Sequence, residues 1–593
     1  MQSLLTHSHW LPRLTLTAVL FAGAGFTPSL VLAEANPAEI GEQFFLETRF
    51  AQFFKQFLTS NGNNVNELPD PGDPAVAKAL NWKLEGSNVE PEDNEFTSMN
   101  CRSCHFVDEY VDVTSYGMRT YTDFARRSPI PAREDGKTTT ARNSPPLVNA
   151  SLPREIGLLL HFDTEFKSMP DLVEGTLTGR NYGFLPGEKT GAIAHIAQIL
   201  KQDDGSQLDP EIVGGFTYRE LLTGNVTDEA FLLPHDFLVP EKYFDEPSAK
   251  HNKRLFQAAA KLIAAYTEDL AFEKISPYDV FLEMNNLPSE PRPRQTDLEY
   301  SRELLKKIEK LEKYAQLQFV TEGEFQFHDQ AFRFGEEELE GLKIFFAEEK
   351  PSSKDHYPKF FPSKFFGHKH AKQHSSTYAD NGGVGNCIAC HTAPNFTDFK
   401  FHNVGIAQAE YDNIHGSGAF ANLYIPGLHK RNHHHNRFLP ATEKHPNAEE
   451  PFRSIPDLAN PKLTDLGVWN IFANPDFPKP QQRIKRILCD GQSTSYSHSR
   501  HSSRSCKSKD LLPDAIAVFK TPGLRDLGHS APYFHTGQTD TLEGVIQSYI
   551  NNSDLVRTNQ LRNGDGRLRN ITLEESDIAP LVAFLKSLNE DYE

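Results

Sequence analysis

"SMNCRSCHFVD", Ser98–Asp108, sets two cysteines three apart and follows them at once with His105. "VGNCIACHTAP", Val384–Pro394, repeats the arrangement at Cys387, Cys390 and His391. Together they take four of the chain's six cysteines. Two CxxC pairs would serve a four-cysteine zinc site, but such a site needs no histidine directly after each pair. In C-x-x-C-H the two thiols add to the vinyl groups of a haem, and the adjoining histidine reaches the iron from one face. The sequence therefore predicts two covalently bound c-type haems, on Cys101 with Cys104 and on Cys387 with Cys390. His105 and His391 are the expected proximal iron ligands.

The compartment agrees with that chemistry. Arg13 precedes the apolar run "LTLTAVLFAGAGF", and Val31 and Ala33 are the small residues a signal peptidase accepts, so residues 1–33 read as a signal peptide. The run is short for a bilayer span and is broken by Gly23, Gly25 and Pro28. No later stretch is apolar enough to cross a membrane, and the expected product is an exported, periplasmic protein. Cys489 and Cys506 flank "DGQSTSYSHSRHSSRS" and read as a disulfide in an oxidising compartment. A metal site through His498 and His501 is the weaker alternative there. The net charge of -19 argues against a nucleic-acid partner.

A chain of 593 residues is too long for one ordinary core. "EIGEQFFLETRFAQFF" reads as an amphipathic helix entered at Pro37, and "KRLFQAAAKLIAAYTEDLAF" as the helix that closes the first haem region. "SPYDVFLEMNNLPSEPRPRQ" reads as a linker, and "SRELLKKIEKLEKYAQL" as a charged helix packing across the domains. "FGEEELEGLKIFFAEE" looks like a second copy of the opening helix, and "TLEESDIAPLVAFLKSLNEDY" like a second closing helix. The order helix, haem motif, helix thus occurs twice. The expected architecture is mainly α: a first cytochrome c-like haem domain at 34–275, a linker and helical insertion at 276–335, and a second haem domain at 336–593. "RNHHHNR", around His433 to His435, reads as a solvated loop, with adventitious metal binding as the weaker alternative.

Five stretches carry a family resemblance: "GEQFFLETRF", "MNCRSCH", "RNSPPLVNAS", "GNCIACHTAPNFTDFKFHNVG" and "FKTPGLRDLGHSAPYFHTGQTDTLEGVIQSY". With these the chain resembles the bacterial di-haem cytochrome c peroxidases, including their MauG-like branch. Extra sequence around 200–380 and 410–515 matches no motif of that family. The resemblance implies peroxide as substrate. It also implies a small electron-donor protein (a cytochrome c or cupredoxin) or a protein substrate as partner.

The family's second haem takes a methionine or a tyrosine as its other ligand. The five methionines are Met1, Met99, Met118, Met169 and Met284, and none follows the second haem motif. The resemblance places Tyr549 at the ligand position. No histidine lies between His105 and His161, so the first haem is expected to keep an open position; Met118 in that interval reads as a packing residue. Phe162 stands where the family has the tryptophan between its haems, the three tryptophans being Trp10, Trp82 and Trp469. The acid–base glutamate the family places downstream corresponds to Glu174 or Glu188. A calcium ion between the haems is implied at Asn143, Ser530 and Pro532. His402 and His535 are implied hydrogen-bonding groups near the second haem. Competing functions are a non-catalytic di-haem electron carrier and a haem oxygenase acting on a large substrate.

Overall fold

The computed structural model describes residues 35–69, 100–101, 104–105, 109–110, 118–119, 127, 130–326, 328–348, 383–491 and 506–591. The signal-peptide reading, the Met118 side chain, His498 and His501 lie outside the described residues. The described fold is mostly helical, and its named strands are two-residue pairs.

Twelve helices carry the argument. They are α1 (Pro37–Phe45), α2 (Gln52–Ser60), α3 (Met169–Leu177), α4 (Lys189–Gln202), α5 (Ala249–Asp269), α6 (Pro277–Met284), α7 (Asp297–Lys313), α8 (Glu336–Phe346), α9 (Ile406–His415), α10 (Gln481–Gly491), α11 (Leu542–Arg557) and α12 (Ile578–Lys586).

The opening segment is not one helix. Asn36 caps α1 through the Ala38 amide, and Pro37 takes the first turn, where its missing N–H costs nothing. The helix then stops, because Glu47 turns its carboxylate onto the Arg49 amide and guanidinium, at 2.8 and 2.7 Å. Arg49 also reaches Asp203 at 2.9 Å, and Tyr218 donates to Glu47 at 2.6 Å. This buried, mutually satisfied cluster breaks the amphipathic run into α1, a short 3-10 turn at Thr48–Phe50, and α2. A buried ion pair survives only with such full pairing.

The two halves repeat one packing unit. Helix α1 lies along α5, and α8 lies along α12. At each crossing a glycine lets the backbones touch. A Cβ on Gly41 would stand 2.2 Å from the Leu262 carbonyl oxygen, and one on Gly341 would stand 1.9 Å from that of Pro580. Around α1 and α5, with α3 and α4, gathers the first core; α8 and α12 organise the second.

The segment read as a linker begins instead with α6. Ser276 and Asp279 form a capping box, Pro277 opens the helix, and Tyr278, Phe281 and Leu282 are buried. Tyr278 meets Phe396 at 5.5 Å and Phe584 at 6.0 Å, so α6 belongs to the second core. Helix α7 does too: Leu304 and Ile308 are buried there, and the expected cross-domain packing is not what it does.

A third core forms between Phe401 and Val518, most of it from the extra sequence at about 410–515, and Leu159 of the first half is built into it. Strand β1 (Phe401–His402) pairs antiparallel with β2 (Phe519–Lys520), His402 opposite Phe519. Cys489, on α10, and Cys506 are joined by a disulfide with Cα atoms 5.6 Å apart.

Candidate functional site

Both CxxCH motifs hang from the C-terminal end of an opening helix. The Cys101 amide donates to the Phe45 carbonyl of α1 at 3.2 Å, and Asn100 donates its side-chain amide to Leu46. In the second half Gly385 donates to Ile344 of α8 and Asn386 to Ala347. Each motif then closes the same turn. The amide of His105 donates to the Cys101 carbonyl at 3.0 Å, and that of His391 to the Cys387 carbonyl at 2.7 Å. The turn gathers both thiols and the imidazole, as attachment to one macrocycle requires.

The imidazoles are prepared as neutral ligands. His391 Nδ1–H donates to the Phe396 carbonyl at 2.9 Å, which fixes the tautomer and leaves Nε2 for a metal. Burial pushes the His391 pKa down, and that of His105 down to about 4, where nearby His161 adds to the effect. The Pro145 carbonyl faces His105 and pulls the other way. Burial also raises Cys101 to about 11, offset in part by a contact with Tyr182 at 3.1 Å, and Cys387 to about 12. The thiols therefore stay protonated until they react. Cys101, His105, Cys387 and His391 lie deep in protein, yet all six motif residues keep part of their surface uncovered, which fits a large flat cofactor seated against them.

Tyr549 lies on α11, and the thiols of Cys390 and Cys387 are close enough to act on its phenol. Its pKa is raised, chiefly by burial and then by those two thiols. A phenolate there requires a cation beside it, and a ferric iron is such a cation. His402 is in the same neighbourhood. It is held between Asp565, 2.7 Å from Nδ1, and Asp398, 2.9 Å from Nε2. Burial opposes its charge, but Cys390, Asp398 and Asp565 outweigh burial and hold its pKa well above the usual range. Thioether formation would cancel the Cys390 part and leave both aspartates in place.

Comparisons with known proteins bear on this arrangement. No family model matches the chain. A cytochrome-c peroxidase, IdrP2 of Pseudomonas sp. (strain SCT), is 38% identical over 76 residues, 13% of this chain and 18% of the relative. The methylamine utilization protein MauG of Methylophilus methylotrophus is 39% identical over 91 residues, 14% of this chain and 26% of the relative. In those segments the chain is similar to a cytochrome-c peroxidase and to MauG. A second IdrP2, from Denitromonas iodatirespirans, is 25% identical over 207 residues, 35% of this chain and 37% of that one. The chain thus matches well under half the length of these curated relatives. Among solved structures, a MauG-like protein associated with microbial copper homeostasis has 13% identity and a TM-score of 0.37, with 96% of each chain covered. The diheme peroxidase BthA from Burkholderia thailandensis E264 has 15% identity and a TM-score of 0.33, covering 88% of this chain and 89% of that one.

The two halves of the chain meet around Phe162. Its ring lies 6.3 Å from that of His535, and its carbonyl accepts the Lys520 amide of β2. His535 stacks on Phe519 at 3.6 Å, and its buried Nε2 has no hydrogen-bond partner among the described residues. Burial pushes its pKa down to about 3, with Asp465, Arg142 and Arg127 as the charged neighbours. His535 thus sits among residues of the first half and the third core.

A chain of charges that sequence reasoning missed encloses this point. His161 Nδ1 is 3.4 Å from Glu165, and Arg453 binds Glu165 at 2.6 Å and Asp163 at 3.3 Å. Arg142 binds Asp163 at 2.7 Å and, through a second nitrogen, Asp465 at 2.8 Å. The sequence signal was present but unreadable in advance, since Arg142 and Asp465 are 323 positions apart.

The two acid–base candidates fare differently. Glu188 is engaged as a structural group: Arg133 binds it at 2.9 Å and it accepts the Leu185 amide at 2.7 Å. Burial works to raise its pKa, but Arg133 and that amide hold it lower overall. Glu174, on α3, accepts from the Gln257 side-chain amide at 3.2 Å, its one side-chain hydrogen bond among the described residues. Nothing brings the two together. Of the implied calcium ligands, Asn143 donates its amide to the Pro532 carbonyl at 2.7 Å, while Ser530 turns its hydroxyl to the Asp526 carbonyl.

Proposed function

We propose that this chain is an exported di-haem c-type oxidoreductase that reacts with hydrogen peroxide at the His105 haem and passes oxidising equivalents through the His391 haem. The observation that carries the reading is the pair of equivalent CxxCH turns, each with a buried tyrosine beside it: Tyr182, whose hydroxyl meets the Cys101 thiol at 3.1 Å, and Tyr549, which stands near Cys390 and Cys387 at the position the resemblance gives the second ligand. Haem iron, when bound, supplies the peroxide-binding site and the redox equivalents. His105 and His391 each present a neutral imidazole, Tyr549 offers an oxygen donor on the second side, and His402 places a fixed positive charge nearby. Phe162 cannot be oxidised easily, so its part is to keep the junction dry and close-packed between the halves. A donor cytochrome or cupredoxin, or an oxidised protein substrate, completes the reaction. Periplasmic placement rests on the 1–33 leader and on the chemistry of haem attachment; among the described residues no helix is long and apolar enough to cross a membrane.

Of the two glutamates, Glu174 is the better candidate for proton transfer, since its carboxylate meets the neutral Gln257 amide while that of Glu188 is bound by Arg133. Glu174→Gln should slow the reaction with peroxide by about 10²–10⁴-fold, the usual worth of a positioned acid–base group, and leave the ferric spectrum unchanged. Stopped-flow mixing with peroxide reads this, and an unchanged rate would remove Glu174 from the mechanism. The calcium reading rests on the meeting of Asn143 with Pro532 beside Ser530. These neutral oxygens would make a hard-ligand site, and the side-chain amide of Asn143 would turn its oxygen inward.

A further inference from the structure

The histidine-rich stretch read as a solvated loop is divided by the fold. His433 and His434 are exposed, but His435 is buried at the start of a short helix, His435–Phe438. It stacks on His445 with ring centroids 3.7 Å apart. Both rings turn a nitrogen toward Asp476, whose side chain is 4% exposed. One oxygen, Asp476 Oδ2, collects the Thr442 hydroxyl at 2.6 Å, His445 Nδ1 at 2.8 Å and His435 Nε2 at 3.6 Å. That is three donors crowded on one atom, and the third misses hydrogen-bond range; His435 Nε2 reaches the Pro440 carbonyl only at 3.3 Å.

The crowding is what a metal ion would resolve. In a tetrahedral site with metal–ligand distances of about 2.0–2.2 Å, neighbouring ligand atoms stand roughly 3.3–3.6 Å apart. Asp476 Oδ2 lies 2.8 Å from His445 Nδ1 and 3.6 Å from His435 Nε2, on either side of that range, and the stacked rings would have to tilt apart to aim both nitrogens at one ion. We propose that His435, His445 and Asp476 form a divalent-metal site, separate from both haem turns, for a borderline ion such as Zn2+. Two imidazoles and one carboxylate suit such an ion and leave further positions to water. Burial keeps His435 neutral, as a ligand must be, and half-exposed His445 gives an entry path. Lys444 stands 3.6 Å from the other Asp476 oxygen but is mostly exposed and free to swing away. Asn474 fixes the Asp476 backbone at 3.0 Å.

The His328–Asp526–His529 cluster does not qualify in the same way. There each carboxylate oxygen has its own histidine, at 2.9 and 3.1 Å, and the set is complete without an ion. The His435 site, by contrast, holds the loop that touches the first half of the molecule. Glu450 pairs with Lys137, and Pro446 lies over Gly187. An ion there would fix the insertion against the His105 domain.

The test uses the haem-loaded full chain, stripped with a chelator and titrated calorimetrically with Zn2+. The background carries His429→Asn and His433→Asn, which remove the exposed stacked pair. One Zn2+ per chain should bind and raise the melting temperature. Asp476→Asn, which keeps the hydrogen-bonding shape, and His445→Gln, at a half-exposed position, should each weaken binding at least tenfold with the haem spectrum intact. If Asp476→Asn fails to fold, His445→Gln decides alone. No binding, or equal binding in the background and in His445→Gln, overturns the proposal.

Discussion

Replacing Tyr549 by phenylalanine should change the spin state of one haem and leave the other untouched. The phenol packs beside Cys387 and Cys390, so the affected haem is the one on His391. Phenylalanine keeps the ring in the α11 packing but has no oxygen to give, so the iron loses its anionic donor and takes up water or stays five-coordinate. Loss of a ligand that favours ferric iron should also raise the potential. Tyr549→Met is the sharper variant. A thioether restores six-coordination and raises the potential further, since methionine ligation suits ferrous haem. Absorption and EPR spectra of the three proteins, with a redox titration, check this. If Tyr549→Phe leaves the second haem's spectrum unchanged, another group is the ligand.

Gly341→Ala should destabilise the packing of α8 on α12 and lower the melting temperature measurably. The added methyl would meet the Pro580 carbonyl oxygen at 1.9 Å, about 1 Å inside any real contact, with Phe584 Cβ at 2.8 Å behind it. Neither neighbour is the end of a flexible side chain, so α8 and α12 must move apart. Overpacking of this kind costs about 1–3 kcal/mol, occasionally more, against roughly 1 kcal/mol that alanine gains over glycine in helix propensity. The net loss should lower the melting temperature by several degrees. Glu340→Ala, on the exposed face of the same helix, is the control and should change it little. A melting curve for Gly341→Ala that matches the control would show that the helices do not touch there.

Local chemistry was the legible part of this chain. Four cysteines with two adjoining histidines point to two haem sites, because attachment is a matter of five consecutive residues. The repeat of opening and closing helices showed in apolar spacing, and α5, α8 and α12 lie where that spacing predicts. The errors came where long-range partners overrule the local pattern. The opening run looked like one helix, and only Asp203 and Tyr218, far along the chain, explain why Glu47 and Arg49 break it. The proline-rich stretch after Ser276 looked like a linker, yet Pro277 starts α6 and aromatic side chains from 334, 396 and 584 bury it. The Phe162 junction could not be foreseen for the same reason. Its charges come from residues 142, 163, 165, 453 and 465, which no window of sequence brings together. The glycine crossings were missed because Gly41 and Gly341 acquire meaning only beside the backbone they touch.

Two covalent haems in unlike settings, one open and one closed by Tyr549, are what the proposed function requires. An EPR spectrum of the purified ferric protein, with its iron content counted, tests this most directly. The account predicts two haem irons per chain, giving one high-spin and one low-spin signal. The high-spin signal should shift on adding cyanide without prior reduction, and it should be the one lost in Cys101→Ala with Cys104→Ala. Two low-spin signals indifferent to cyanide, or zinc in place of iron, would contradict it.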